Sequence, residues 1–337
     1  MSPTTTASHS NLSRPEATRL AHRVLEAIDA RVLGQPSASR ALLATYMAGG
    51  HALLEGIPGI GKTLLARTFA GVMGLDFQRV QFTPDLMPAD VLGTNVFRSE
   101  EGRFELFRGP IFTQMLMGDE INRTPPKTQS ALLEAMEERQ VTIDGKRYAL
   151  DDGFFVMATQ NPVEHEGTYP LPEAQLDRFT ARIVMDLPDA EQEVELYRHA
   201  LSGEWTPWGW SEALGPVVTA EESQGLRRAA GTVHVADGLL AYLARLASAT
   251  RKSQDVELAI SPRGALALLA LARASAILAD RDFVLPDDFK AFMGPCWEHR
   301  LLLTAEAELE GLSGARLLTE IGQTVEGPTA ESLAAPD

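Results

Sequence analysis

Between residues 17 and 30 the apolar side chains Leu20, Val24, Leu25 and Ile28 recur at helical spacing, and a second helical pattern covers residues 38–48. From residue 51 the pattern changes. Short apolar runs at 51–55, 78–83, 115–119, 154–159 and 182–187 alternate with helical patterns and read as five strands. Strands separated by helices predict an α/β fold built on a doubly wound, mainly parallel sheet, and such sheets bind ligands beyond the carboxyl ends of their strands. Two stretches interrupt this plan as predicted hairpins: NVFRSEEGRFELF, turning near Glu101-Gly102, and RQVTIDGKRYAL, turning at Asp144-Gly145. Beyond Pro188 the strand patterns stop. Helical patterns at 190–201, 220–230, 237–252, 262–279 and 286–299 predict a smaller all-helical domain, entered through LPDAEQ. On this pattern the chain divides into a disordered tail over 1–12, an α/β domain over 13–188, a helical domain over 189–325 and a flexible tail over 326–337.

Composition narrows the class. With 337 residues, 45% of them hydrophobic, each half is long enough to bury a core of its own. The formal charge of -16 argues against a counterion-releasing grip on a phosphate backbone, so nucleic acid is a poor partner. Cys296 is the only cysteine, which excludes an intrachain disulfide and a thiolate metal cluster and fits a reducing setting. The start of the chain is polar and rich in Ser and Thr, and no run of 18 apolar residues occurs, so no transmembrane segment is expected and the protein reads as cytoplasmic.

The chemistry gathers at the predicted strand ends. Gly56, Gly61, Lys62 and Thr63 satisfy G-x-x-x-x-G-K-[ST] between a predicted strand and a predicted helix. Glycines let a loop turn its N–H groups inward, and the following helix aims the positive end of its dipole at the same spot. The candidate phosphate binders are therefore Gly56, Pro58, Gly59, Ile60, Gly61, Lys62, Thr63 and Leu64, for ATP with Mg²⁺. Lys62 would reach the terminal phosphates, and the Thr63 hydroxyl would ligate the cation. The third strand delivers Asp119 and Glu120, the first to hold Mg²⁺ through water and the second to polarise an attacking water; a helix-capping pair is the plainer alternative. Asn161, at the end of the fourth strand, would orient that water through its amide. The N-K-x-D signature of GTPases is absent, and LSGEW lacks the glycine pair of a transporter signature.

Taken in order, VLGQ, GIPGIGKT, MGDEINR, ATQNP, LPEAQLDRF and SPRG resemble the AAA+ ATPases, and DEINRTPPKTQSALLEAMEERQVTIDG resembles the MoxR family within them. The resemblance spans about residues 19–303. It implies a nucleotide seated between a wedge-shaped sheet domain and a helical lid, with Gly34 and Gln35 beside the adenine. Arg178 would be the finger that reaches a neighbouring subunit's γ-phosphate, and Arg263 the second sensor, carried by the lid. The hairpin near Gly102 would be the insert in the second helix, the one at Asp144-Gly145 would precede the first sensor, and both would face a central pore. It further implies a ring of identical subunits, a hexamer, doing chaperone-like work on a partner such as a von Willebrand A domain protein or a metal-dependent enzyme. Two alternatives stay open: the ATPase subunit of a chelatase or cofactor-insertion motor, and a scaffold that binds ATP but hydrolyses it weakly. Arg178 and Arg263 can also be plain ion-pair partners of Asp177, Glu173 or another carboxylate. Gly118, just before the acidic pair, weakens a strand. Trp205, Trp208 and Trp210 crowd one short segment, where they pack the linker against the lid or form a partner surface. His165 with Glu166 is the nearest approach to a metal pair and reads as a polar loop.

Overall fold

A computed structural model describes residues 12–161, 168–203, 205–206, 209–210 and 215–328. The chain opens with two helices, α1 (Arg14–Asp29) and α2 (Pro36–Met47), and continues through β1 (Ala52–Glu55), α3 (Lys62–Val72), β2 (Phe77–Gln81), α4 (Pro88–Leu92), β3 (Gly93–Arg98), β4 (Arg103–Arg108) and β5 (Met115–Asp119). Then come α5 (Pro126–Glu138), β6 (Gln140–Ile143), β7 (Lys146–Ala149), β8 (Phe155–Gln160), α6 (Glu173–Leu176) and β9 (Ala181–Val184). The helical part holds α7 (Ala190–Leu201), β10 (Trp205–Thr206), β11 (Gly209–Trp210), α8 (Ala220–Gly231), α9 (Asp237–Lys252), β12 (Val256–Leu258), α10 (Pro262–Leu278) and α11 (Pro286–Trp297). It closes with β13 (Leu302–Leu303), α12 (Ala305–Leu309) and α13 (Gly314–Thr324).

The five expected strands form one sheet in the order β2-β5-β8-β1-β9, and every pairing is parallel. All five residues of β5 are buried, which is why Met115 to Gly118 read as an apolar run that ends at Asp119. Period-two alternation divides the strands between two faces. Ala52, Leu54, Met115, Met117, Phe155 and Met157 face α1, α2 and α3. Leu53, Leu116, Val156 and Ala158 face Leu132, Leu133 and Met136 of α5. The α/β fold with a helical lid is thus the expected one, and both expected hairpins are present as β3–β4 and β6–β7.

Four local expectations need correction. The first helix starts at Arg14, three residues before the expected start at 17, because Ser13 and Glu16 form a capping box in which the Ser13 amide and hydroxyl donate to Glu16 Oε2 at 3.0 and 2.6 Å. Strands do not stop at Pro188: β10–β11 and β12–β13 are two small antiparallel pairs, too short to leave a periodic signature. Helices continue past residue 299, with α13 capped by Ser313 and burying Leu317, Leu318 and Ile321. Only the α5 side of the sheet has a core confined to the α/β half; the core on the other side is shared with the helical part. One cluster runs from the sheet through α1 and α2 into Leu226, Leu268, Leu271 and Phe289 of the helical part. The reason lies in α2, which is buried nearly all round and so has an apolar side for each neighbour. Tyr46 of α2 exchanges a 3.0 Å hydrogen bond with Ser223, and the Thr18 hydroxyl of α1 donates to Ile277 O at 3.0 Å.

Gly118 has a packing reason. A Cβ there would lie 3.1 Å from the ring of Phe82, a fully buried residue just past β2.

Candidate nucleotide-binding site

The connection from β1 to α3 needs glycine for two different reasons. At Gly56 a Cβ would come within 2.9 Å of Met185 O, so the requirement is steric. At Gly59 and Gly61, with φ of 84° and 100°, an added Cβ meets nothing within 4 Å; the requirement there is conformational, and the space around the loop is open. Gly61 is the N-cap of α3, with no side chain capping the helix and no acidic residue in its first turn. The N–H groups and dipole of an 11-residue helix therefore meet that open space. Lys62 Nζ donates to Gly56 O and, at 3.3 Å, to Ile57 O, so the ammonium lies over the loop.

Beside the loop is a cleft of about 300 Å³ shared by Ile57, Pro58, Leu64, Val32, Leu187 and Tyr197. Gln35 ties this wall together by donating from Nε2 to Asp186 O at 2.6 Å. Gly34, at φ 74°, leaves room for Gln192, whose Oε1 would be 2.6 Å from any Cβ. VLGQ thus sits where a flat base would rest beside a phosphate chain. Of the helical part, α7 supplies the wall of this cleft.

The neighbours of β1 and β5 explain the rest. Since β5, β8 and β1 are consecutive in the sheet, Asp119, Glu120 and Asn161 emerge beside the loop at one sheet edge. Asn161 is 4% exposed there. Asp119 is 7% exposed and both its oxygens accept hydrogen bonds: the Thr159 hydroxyl donates to Oδ1 at 2.6 Å, and Arg79 donates to Oδ2 from Nε at 3.1 Å and Nη2 at 2.6 Å. Glu120 stands in the left-handed region, φ 57°, with its amide donating to Thr159 Oγ1 at 2.8 Å. Its Oε2 accepts from Gln81 Nε2 at 2.7 Å and lies 3.1 Å from Arg123 Nε. A carboxylate has about four acceptor positions, so Asp119 keeps capacity for a cation-bound water even with both oxygens in use. With the Thr63 hydroxyl it would offer the kind of hard oxygen ligands that suit Mg²⁺ shared with phosphates. Among the described residues no group of three or more His, Cys, Asp or Glu forms a protein-only metal site.

Arg178 and Arg263 lie elsewhere. They line a second cavity, about 340 Å³, together with Gly49, Gly50 and His51, the residues that lead into the amino end of β1. The phosphate loop leaves the carboxyl end of the same strand. At about 3.3 Å per residue, His51 and Gly56 are separated by roughly 16 Å. The lid arginine is therefore not at the cleft of its own chain, although α7 of the helical part is. Both arginines pair with Glu137: Arg263 Nη1 reaches Oε1 at 3.1 Å, and Arg178 Nη2 lies 3.4 Å from Oε2. Arg263 also stands 3.9 Å from Asp177, while Glu173 is not among these partners. Buried Arg300 holds Asp177 Oδ1 at 2.7 Å.

Two family models match the chain, one in each part. A model of the ATPase family associated with various cellular activities (AAA) matches residues 51–181, and a model of the AAA lid domain matches residues 248–321. Chaperone MoxR1 of Mycobacterium tuberculosis is 39% identical over 90% of this chain and 81% of its own length. Protein MoxR of Paracoccus denitrificans is 33% identical, with 84% of this chain and 88% of that one covered. The chain belongs to the MoxR family of AAA+ ATPases. The Bacillus subtilis protein YeaC is 43% identical over 92% of this chain and 95% of its own. A crystal structure of a Cytophaga hutchinsonii protein, 38% identical, superposes with a TM-score of 0.85 over 94% of this chain and 97% of that one.

Within this MoxR-family chain, Arg79, Gln81, Arg123 and Thr159 belong to the site although the sequence reading does not single them out. Arg79 and Gln81 alternate on β2 and so point to one side, and parallel pairing sets Gln81 against Asp119. That spacing on a polar edge strand was the available signal. The two hairpins touch, with Asn95 Nδ2 donating to Asp144 Oδ2 at 2.8 Å, and the rings of Phe97 and Phe104 lie tilted at 56° with centroids 5.1 Å apart on exposed β3–β4. His165 and Glu166 lie outside the described residues, as do the rings of Trp205, Trp208 and Trp210. Burial pushes the Cys296 thiol up to about 12, which makes it inert at neutral pH. No helix among the described residues is long and apolar enough to cross a membrane.

Proposed function

We propose that this protein binds ATP and Mg²⁺ at the loop from Gly56 to Thr63 and hydrolyses ATP between subunits of a homo-oligomeric ring, with six subunits as the MoxR resemblance implies. The observation that supports a shared site is the placement of its two halves at opposite ends of β1: the loop and acidic pair at one end, Arg178 and Arg263 at the other. One chain cannot bring both halves to one nucleotide, whereas a neighbour can. Lys62 and the loop N–H groups hold the phosphates, and Thr63 and Asp119 hold the cation, the latter through water. The cation supplies charge neutralisation along the phosphates. Glu120 takes the proton of the attacking water, and Asn161 orients that water. Arg178 and Arg263 of the adjacent subunit meet the charge that develops on the γ-phosphate oxygens.

The turnover drives remodelling or activation of a partner protein, a von Willebrand A domain protein being the kind implied by the family, in the cytoplasm and without nucleic acid. A weakly hydrolysing scaffold is the second reading, favoured by the hydrogen bond that ties Glu120 to Gln81. Steady-state phosphate release decides between them. Magnesium-dependent release by the unchanged protein that disappears in Glu120→Gln supports the ATPase; release no faster than the Glu120→Gln background leaves the scaffold. Capture of a specific protein by ATP-loaded Glu120→Gln tests the partner class.

A further inference from the structure

We infer that Glu137 is a positioning residue that holds Arg178 and Arg263 together as one paired cation, an inference that rests on reading those arginines as acting on a neighbour's nucleotide. Glu137 stands on the last turn of α5, between Met136, which is buried in the core, and solvent. Its two oxygens are divided evenly, Oε1 to Arg263 and Oε2 to Arg178. The two guanidinium groups come from unlike places, one from the rim of the sheet before β9 and one from the first turn of α10.

The backbone beneath Arg178 is fixed independently. Arg300 Nη2 donates to Asp177 O at 2.9 Å and Phe179 O at 2.8 Å, and Nη1 donates to Thr180 O at 3.2 Å. The main chain on both sides of Arg178 is therefore clamped, and Glu137 sets only where its side chain points. Arg263 follows the N-cap Ser261 by two residues, where a positive charge opposes the helix dipole. Helix stability gives no reason for an arginine there; convergence on a shared carboxylate does. Without that carboxylate the two cations repel each other.

Magnitudes separate positioning from stability. Glu137 is 45% exposed, and such pairs contribute about 0–1 kcal/mol to folding. A misplacement of about 1 Å at a reacting group costs up to roughly 10²-fold in rate. Each guanidinium has about five N–H donors, so one spent on Glu137 leaves the others for phosphate oxygens.

The test compares Glu137→Ala, Glu137→Gln, Arg178→Ala and the double variant Glu137→Ala/Arg178→Ala, in full-length protein, for turnover at saturating ATP, nucleotide affinity and thermal unfolding. Glu137→Ala should slow turnover about 10- to 100-fold, with affinity and unfolding temperature nearly unchanged. Glu137→Gln keeps the shape and one acceptor oxygen and should recover part of the loss; it also carries the test if the alanine variant does not fold. The double variant should be no slower than Arg178→Ala, because the two residues act as one unit. Turnover within about twofold of normal in both Glu137 variants, beside a slow Arg178→Ala, reduces Glu137 to a surface ion pair and leaves the arginine reading intact. Losses that multiply in the double variant also overturn the proposal, since Glu137 then acts apart from Arg178. Normal turnover by Arg178→Ala removes both the proposal and the reading beneath it.

Discussion

Gln81 Nε2 donates to Glu120 Oε2 across 2.7 Å, from the end of the edge strand β2 to the residue just past β5. Arg123 Nε lies 3.1 Å from the same oxygen. The carboxylate proposed to take a proton from water thus has two protein donors competing for it. Replacing Gln81 with Ala should raise basal phosphate release, by at most about 10- to 100-fold given the roughly 1.5–3 kcal/mol of one hydrogen bond to a charged group. An equal or lower rate in well-folded Gln81→Ala would show that the bond holds Glu120 in its working place instead.

Lys62 and Glu120 should fail in different ways. The lysine meets phosphates in the ground state, so Lys62→Ala should weaken ATP binding. The glutamate acts on water, so Glu120→Gln should bind ATP normally and lose about 10²- to 10⁴-fold in turnover. Titration with a fluorescent ATP analogue beside a phosphate-release assay separates the two, and equal loss of binding in both variants sinks the assignment.

For Arg178, the shared-site proposal and an ordinary ion pair with Glu137 differ by orders of magnitude. An arginine finger contributes roughly 10³ to 10⁵ in turnover, a surface pair about 0–1 kcal/mol of stability. Arg178→Ala should fold and bind ATP yet turn over at a small fraction of the normal rate. Mixing it with Lys62→Ala subunits should restore part of the activity, as some interfaces then join an intact loop to an intact arginine.

Acid should destabilise the protein through His51. The ring is buried and neutral, with Val156 N–H donating to Nδ1 at 3.0 Å and Nε2 placed 3.1 Å from Met136 O as donor. Burial, helped by nearby Arg227, Arg139 and Arg263, lowers its pKa from 6.5 to about 4. The unfolded chain binds the proton near 6.5 and the native one only near 4, so stability rises with pH across that window. The contribution is complete above 6.5 and is lost as pH falls to about 4. His299, lowered to about 3 chiefly by burial, acts in the same direction. Urea midpoints at pH 7 and pH 5 should differ in the unchanged protein, and His51→Asn should flatten the difference without abolishing it.

What the sequence made legible was local. The phosphate loop spans eight residues with a strand before it and a helix after, so spacing alone suffices; Asp119 and Glu120 follow an apolar run that ends where they begin. Arg79 meets Asp119 across 40 positions and Glu137 meets Arg263 across 126, separations at which periodicity carries no information about who faces whom. The ends of β9 and α1 shifted for a related reason, since caps and pairing partners decide termini while hydrophobic spacing reports only the middle of an element. The location of Arg263 was hidden because a motif gives a residue its place on α10 but not the place of α10 against the sheet.

The shared core has a consequence for how this chain can be divided. Leu42, Leu43 and Tyr46 on α2 are fully buried between the sheet and α8 and α10. A fragment ending near residue 188 would turn one flank of that helix to water, at about 1.5–3 kcal/mol for each large side chain uncovered, against a total stability of about 5–15 kcal/mol for a typical domain. Three such side chains would draw heavily on that margin. The sheet half should therefore be a much weaker folding unit alone, and the intact chain should melt in one cooperative transition rather than two.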